Sequence, residues 1–272
     1  MDTSLGSYLS VPHVLAFMLV FSRIGGMIGA SPLMQVIVVP PNLMIGLTAV
    51  VSLLLCPLVA NGYGLFGQPA TQQLPTHEWA LAVLIGQELM IGLLLGFSAT
   101  LAFHGIRYMG TLLGLQMGLS VASQVDPATG GQNPVVGQWY LYLGLIVFMM
   151  LNLHHWLLVA VAHSFGHIPL GQVLTEKSWG LLAERFIQLT ADLFVTALMV
   201  GLPVLGVLLV VEVALAFMAK VMPQMNVFMV SMPLKVAIGL GMMAVTLPTV
   251  VEAMARQDQA LIKTLMGLFQ AG

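Results

Sequence analysis

Apolar residues in this chain run in long blocks separated by short polar links. A helix needs about 20 apolar residues to span a bilayer, because ~1.5 Å per residue must cross ~30 Å of hydrocarbon. Several blocks qualify. The first runs from about Val11 to Ser31 and is interrupted by Arg23. The second runs from about Val36 to Ala60, with Pro40-Pro41 at its start and Pro57 near its end. A polar, glycine-rich link (Asn61 to Thr76) follows and contains no Lys or Arg. The third block, from about Trp79 to Phe103, carries Glu88. The region from Arg107 to Val135 is expected to hold one moderately apolar helix and then a short polar interruption. The fourth block runs from about Val136 to His163. It is followed by the most charged stretch, with Glu176, Lys177, Glu184, Arg185 and Asp192. The fifth block, about Ile187 to Ala219, bears Pro203, and the last, about Val227 to Ala255, bears Lys235. The pattern predicts an all-α polytopic membrane protein in one integrated domain. It has five or six apolar segments, depending on whether Arg107–Val125 is counted.

Composition strengthens this expectation. The 272 residues are 59% hydrophobic and 7% charged, against roughly 25% charged in ordinary soluble domains. Eight basic and ten acidic side chains cannot solvate a globule of this size, so lipid or partner protein must face much of the surface. The formal net charge is -2 and no basic run occurs. Nucleic acid binding therefore lacks an electrostatic footprint. The single cysteine, Cys56, lies within an apolar run and says little about compartment. The first residues lack a basic n-region, so the first apolar segment is expected to be retained. Positive charge in short loops favours the cytoplasmic side. The uncharged Asn61–Thr76 link and the position of Arg107 would together put the N-terminus outside.

Charges inside apolar segments are the first candidates for function: Arg23, Glu88, Glu212, Lys220 and Lys235. Each costs about 2.5–3.5 kcal/mol at bilayer depth on insertion scales, so each calls for a partner or a water-filled cavity. They fit a polar route or inter-subunit pairs. They equally fit snorkelling at helix ends or a structural ion pair. Long apolar flanks make Arg23 and Glu88 the first choices for true burial. A second feature is Gly110, Gly114, Gly118 and Ala122, which recur every four residues. On one helix they would form a smooth face for close backbone packing. A third is the turn-forming run Asp126-Pro127-Ala128-Thr129-Gly130-Gly131-Gln132-Asn133-Pro134. It is either a surface loop or a re-entrant segment, which membrane depth permits only where protein or water satisfies the backbone. Twenty methionines are present, and Met218, Met222, Met225, Met229 and Met232 fall at heptad-like spacing around Pro223. This is either core filling or an adaptable contact surface.

Catalytic and metal chemistry find little footing. His163 and His167 are four apart, but no third ligand is placed by spacing, and His154-His155 would point in two directions on a helix. Gly96-Phe97-Ser98-Ala99 superficially matches the nucleophile motif of rhomboid proteases over a very short stretch. No phosphate-binding loop and no HExxH motif occur. No cofactor or metal is expected, and no enzymatic activity.

Taken in order, several short motifs resemble those of the FliR family of flagellar export-gate proteins, which has counterparts in virulence type III secretion injectisomes. They are Phe21-Ser22-Arg23-Ile24 with Ala30-Ser31-Pro32, then Glu88 before Gly92-xxx-Gly96-Phe97. Gly114-Leu115-Gln116-Met117-Gly118 and the run Asp126 to Gln132 follow. Asn152-Leu153-His154-His155 comes next, then Pro223-Gln224-Met225-Asn226-Val227-Phe228 and Pro233-Leu234-Lys235. One departure is the uncharged Pro40-Pro41-Asn42-Leu43-Met44, where basic residues are often expected.

The resemblance implies a non-enzymatic gate subunit of the bacterial inner membrane at the flagellar basal body. Its fold would consist of long kinked helical hairpins packed in a helical hetero-oligomer. Its partners would be FliP, FliQ and FlhB, together with exported unfolded flagellar proteins and membrane lipid. Residues from about 1 to 165 would correspond to a FliP-like part with a central plug loop, and those from about 180 to 272 to a FliQ-like part. The implied plug comprises Gly114, Gln116, Met117, Gly118, Asp126, Pro127, Gly130, Gly131, Gln132 and Pro134. Pro203, Pro223, Gln224, Asn226, Phe228 and Pro233 are expected at hinges or subunit interfaces. The competing expectation is a proton-coupled secondary transporter of a small solute, with Glu88 or Glu212 as its proton site.

Overall fold

The structure, a computed structural model, describes residues 11–32, 34, 39–60, 78–119, 134–224 and 226–267. Among them the regular elements are α-helices: α1 (Val11–Ala30), α2 (Pro41–Ala60), α3 (Glu78–Gln116), α4 (Val135–Met150), α5 (Leu153–His167), α6 (Glu176–Val221) and α7 (Val227–Gly267). Five are long and apolar enough to cross a membrane, or six if the bent pair α4 and α5 is taken as one span. The all-helical, polytopic expectation holds.

Two expectations need correction. The third block and the helix expected from Arg107 are one element, the 39-residue α3. Arg107 does not end a helix, since its long stem can lie on apolar surface while its head reaches water. Conversely, the fourth block is broken. Asn152 adopts φ 54°, ψ 34°, and α4 and α5 meet there in a bend of 68°. Asn tolerates the left-handed region better than most non-glycine residues.

Several hydroxyl groups in the apolar helices are satisfied locally. Thr48 donates to the Met44 carbonyl, Ser52 to Thr48, Ser98 to Leu94, Thr190 to Phe186 and Thr246 to Met242. Such bonds to the preceding turn spare a lipid-facing or dry-packed hydroxyl the cost of going unpaired. α6 starts after Thr175, carries Glu176 in its first turn and ends with Lys220 in its last, the charge order that suits a helix dipole.

The chain divides into two compact units. The first contains α1, α2, α5, the leading parts of α3 and α6 up to Leu101 and Thr190, and the end of α7 from Gln259. Its core includes Leu19, Ile24, Leu84, Leu95, Val161 and Phe165. Here α1 and α3 approach to backbone contact. A Cβ on Gly92 would overlap the Arg23 carbonyl, and one on Gly96 the Met27 carbonyl. A Cβ on Gly26 would lie 2.6 Å from the Leu89 oxygen. The second unit comprises the rest of α3, α4, the rest of α6 from Ala191 and α7 to Asp258. Its core gathers Met109, Leu113, Met117, Val136, Tyr140, Val204, Leu208 and Met243.

Candidate functional site: two polar clusters among apolar helices

The first unit buries an ion pair. Arg23 on α1 and Glu88 on α3 both have side chains with 0% exposure, and Arg23 Nε donates to Glu88 Oε2. Each terminal nitrogen also directs a donor. Nη1 donates to Ser164 Oγ (3.0 Å) and Nη2 to the Ile168 carbonyl (3.1 Å). The guanidinium lies 4.1 Å from the ring centroid of Phe165. Ser164 passes its own proton to the Val161 carbonyl (2.7 Å). One cation thus ties α1, α3 and α5 together, and arginine suits this role because its planar fork serves several acceptors at once and stacks on an aromatic face. Glu88 Oε1 is buried with no hydrogen-bond partner among the described residues.

The neighbouring Gln87 makes a second clamp. Its Nε2 donates to the Gln172 carbonyl (2.8 Å) and its Oε1 accepts from the Leu174 N–H (2.8 Å). Thr100 Oγ1 donates to the Ala30 carbonyl (2.5 Å) and satisfies a terminal acceptor of α1.

In the second unit the end of α3 meets α6 and α7. Gln116 Nε2 donates to Glu212 Oε2 (2.7 Å), and Lys235 Nζ lies 3.0 Å from Glu212 Oε1. Lys235 is 17% and Glu212 54% exposed, so this cluster is open to its surroundings where the Arg23 cluster is sealed. Met117 is fully buried with its side chain over Gly239, and Met109 occupies the matching place over Gly201. Lys220 is exposed at the end of α6.

The glycine face expected through Ala122 is shorter than predicted. Gly110 sits against Tyr140, Gly137 and Val136, and Gly114 against Val136. The helix stops at Gln116, and Gly118 has φ +84°, a left-handed conformation that breaks the four-residue period. Ala122, Asp126, Pro127, Gly130, Gly131 and Gln132 lie outside the described residues, as does Met225. Pro134 precedes α4, and its carbonyl accepts the Gln138 N–H (2.8 Å). Pro203 and Pro233 lie inside α6 and α7, on exposed positions. Pro223 and Gln224 form the turn between these helices, Asn226 accepts the Met229 N–H (3.1 Å), and Phe228 is exposed. Met218, Met222 and Met229 are exposed, whereas Met232 is half-buried and would lie 3.8 Å from a Cβ on Gly118.

Sequence reasoning singled out the five charges but not the groups that complete the clusters: Gln87, Ser164, Phe165 and the Ile168 carbonyl. The available signal was a serine beside a phenylalanine in an apolar block. It carries no address, because its partner is 141 positions away.

Comparison with known proteins adds to this geometry. The family described as "Bacterial export proteins, family 1" matches residues 14–260. The flagellar biosynthetic protein FliR of Bacillus subtilis (strain 168) is 30% identical over 257 residues, covering 93% of this chain and 94% of that protein. Its counterpart in Escherichia coli (strain K12) is 30% identical over 232 residues, 84% of this chain and 82% of that protein. The Yop proteins translocation protein T of Yersinia pestis is 28% identical over 190 residues, 66% and 72% of the two chains. The match runs through both clusters, the Asn152 break and the turn between α6 and α7, and the chain belongs to the FliR family of bacterial export proteins.

Proposed function

We propose that this chain is a non-enzymatic subunit of the flagellar type III export gate, forming part of the channel through which unfolded flagellar proteins cross the inner membrane at the basal body. Membership of the family implies partners within the export apparatus. In this reading they are FliP and FliQ in a closed helical assembly, with FlhB associated. The parts before about residue 165 and after about residue 180 are the FliP-like and FliQ-like portions.

Besides the family match, α6 carries the reading. Its exposed apolar residues run from Ile187 through Phe194, Leu202 and Val213 to Val221, 34 residue steps or about 51 Å of helix. A ~30 Å hydrocarbon slab reaches at most about 39 Å along a helix tilted by ~40°. Lipid therefore leaves part of this exposed apolar run uncovered. Covering it entirely would also force both exposed Asp192 and exposed Glu212 into hydrocarbon. Only 22% of the apolar window of α6 and 17% of that of α7 is buried within the chain. Neighbouring subunits are the natural cover. A solute transporter complete in itself would leave this surface unexplained, and its proton carboxylate, if Glu88, is held by Arg23.

Within this reading, Gln116 to Pro134 forms the plug of the closed channel, hinged at Gly130-Gly131. Deleting Ala122–Gln132 should make the membrane leaky to ions or small solutes while the complex still assembles. Unchanged permeability with an assembled complex would refute the plug.

A further inference from the structure

The two charge clusters differ in a way that separates a permanent fixture from a releasable one. Arg23 and Glu88 are sealed, with both side chains at 0% exposure, and the cation is shared among α1, α3 and α5. Glu212 and Lys235 are partly exposed on the surface of this chain. An ion pair that keeps contact with its surroundings can exchange its partners for water without stranding a buried charge.

What this second pair holds is specific. Glu212 spends one carboxylate oxygen on Lys235 of α7 and the other on Gln116, the last residue of α3. The next residue, Met117, is buried over Gly239 of α7. The one after, Gly118, turns left-handed beside Met232. Polar and apolar contacts therefore converge on three consecutive residues where α3 stops.

We infer that Glu212 and Lys235 are positioning residues, forming a releasable fastener that holds the C-terminal end of α3 against α6 and α7. The charge on Lys235 keeps the Glu212 carboxylate in place, and the carboxylate orients Gln116. Loss of either charge loosens the helix end, which then rests on its apolar contacts, the Met117 seat on Gly239 among them. The consequence for permeability rests on the export-gate reading; the fastening itself does not.

The test uses the assembled complex purified from membranes carrying Glu212→Lys, Lys235→Glu or both. Amide hydrogen exchange is read in peptides covering residues 110–119. Each single variant should exchange there about tenfold faster than the parent, and the double variant, which restores opposite charges in swapped places, should return to within about twofold. Glu212→Gln and Lys235→Met introduce no repulsion and serve where the reversed charges prevent assembly; they should also accelerate exchange. Unchanged exchange in the single variants, or a double variant as fast as the singles, overturns the fastener.

Ion permeability is measured in parallel, with the Ala122–Gln132 deletion as reference. Faster exchange at the α3 end, with both the single variants and the deletion impermeable, would keep the fastener and reject the plug. A leaky deletion with unchanged exchange in the single variants would do the reverse.

Discussion

Arg23 donates to groups of α3, of α5 and of Ile168 just after it, and Glu88 has one oxygen bound and one with no hydrogen-bond partner among the described residues. Removing one partner of such a pair strands the other in a dry core, at about 3–5 kcal/mol. Arg23→Met should therefore cost several kcal/mol, read as a large drop in melting temperature in detergent or in steady-state abundance. Arg23→Lys should be only a partial substitute, since an ammonium cannot reproduce the fork that reaches Glu88, Ser164 and Ile168 together. Arg23→Met combined with Glu88→Gln should recover part of the loss by removing the stranded charge. Equal stability of Arg23→Met and the parent would contradict this account. At this scale the sequence revealed which charges need partners, because an ionisable residue among long apolar flanks is anomalous. It did not reveal the partners, because Ser164 and Phe165 look like ordinary residues of an apolar helix until α5 is folded beside α1.

Glycines at helix contacts make the next scale testable. Gly92 faces the Arg23 carbonyl so closely that even one added methyl must push α1 away from α3, whereas nothing lies within 4 Å of a Cβ on Gly46 of α2. Gly92→Ala should lower the melting temperature clearly. Gly46→Ala should leave it unchanged or slightly raised, because alanine favours a helix by up to about 1 kcal/mol where space allows. Similar behaviour of the two would contradict the α1–α3 contact. Helix identity was legible from hydropathy alone, but helix limits were not. An element apolar all round has little periodicity to mark its ends, so hydropathy divides α3 at Arg107 and runs α4 and α5 together across Asn152. The four-residue glycine spacing predicted close packing correctly at Gly110, whereas a Cβ on Gly114 would meet only ordinary contact with Val136 at 3.5 Å. The spacing overran the end of α3, where Gly118 serves the turn rather than the face.

For the whole molecule, the physical reading reaches a polytopic helical membrane protein and a large apolar surface in need of cover. The proposed cover, other subunits of the export apparatus, rests on the order of short motifs and on family membership. Composition calls for lipid or protein against this surface and does not choose between them. The central claim is that α6 and α7 are covered by other gate subunits. The direct test is to express this chain with FliP and FliQ, solubilise the membranes in mild detergent, isolate it by a tag and determine composition and mass by native mass spectrometry. The account predicts that this chain is recovered in a stable complex with both partners. Recovery as a monomer or small homo-oligomer, with FliP and FliQ assembling without it, would contradict the account.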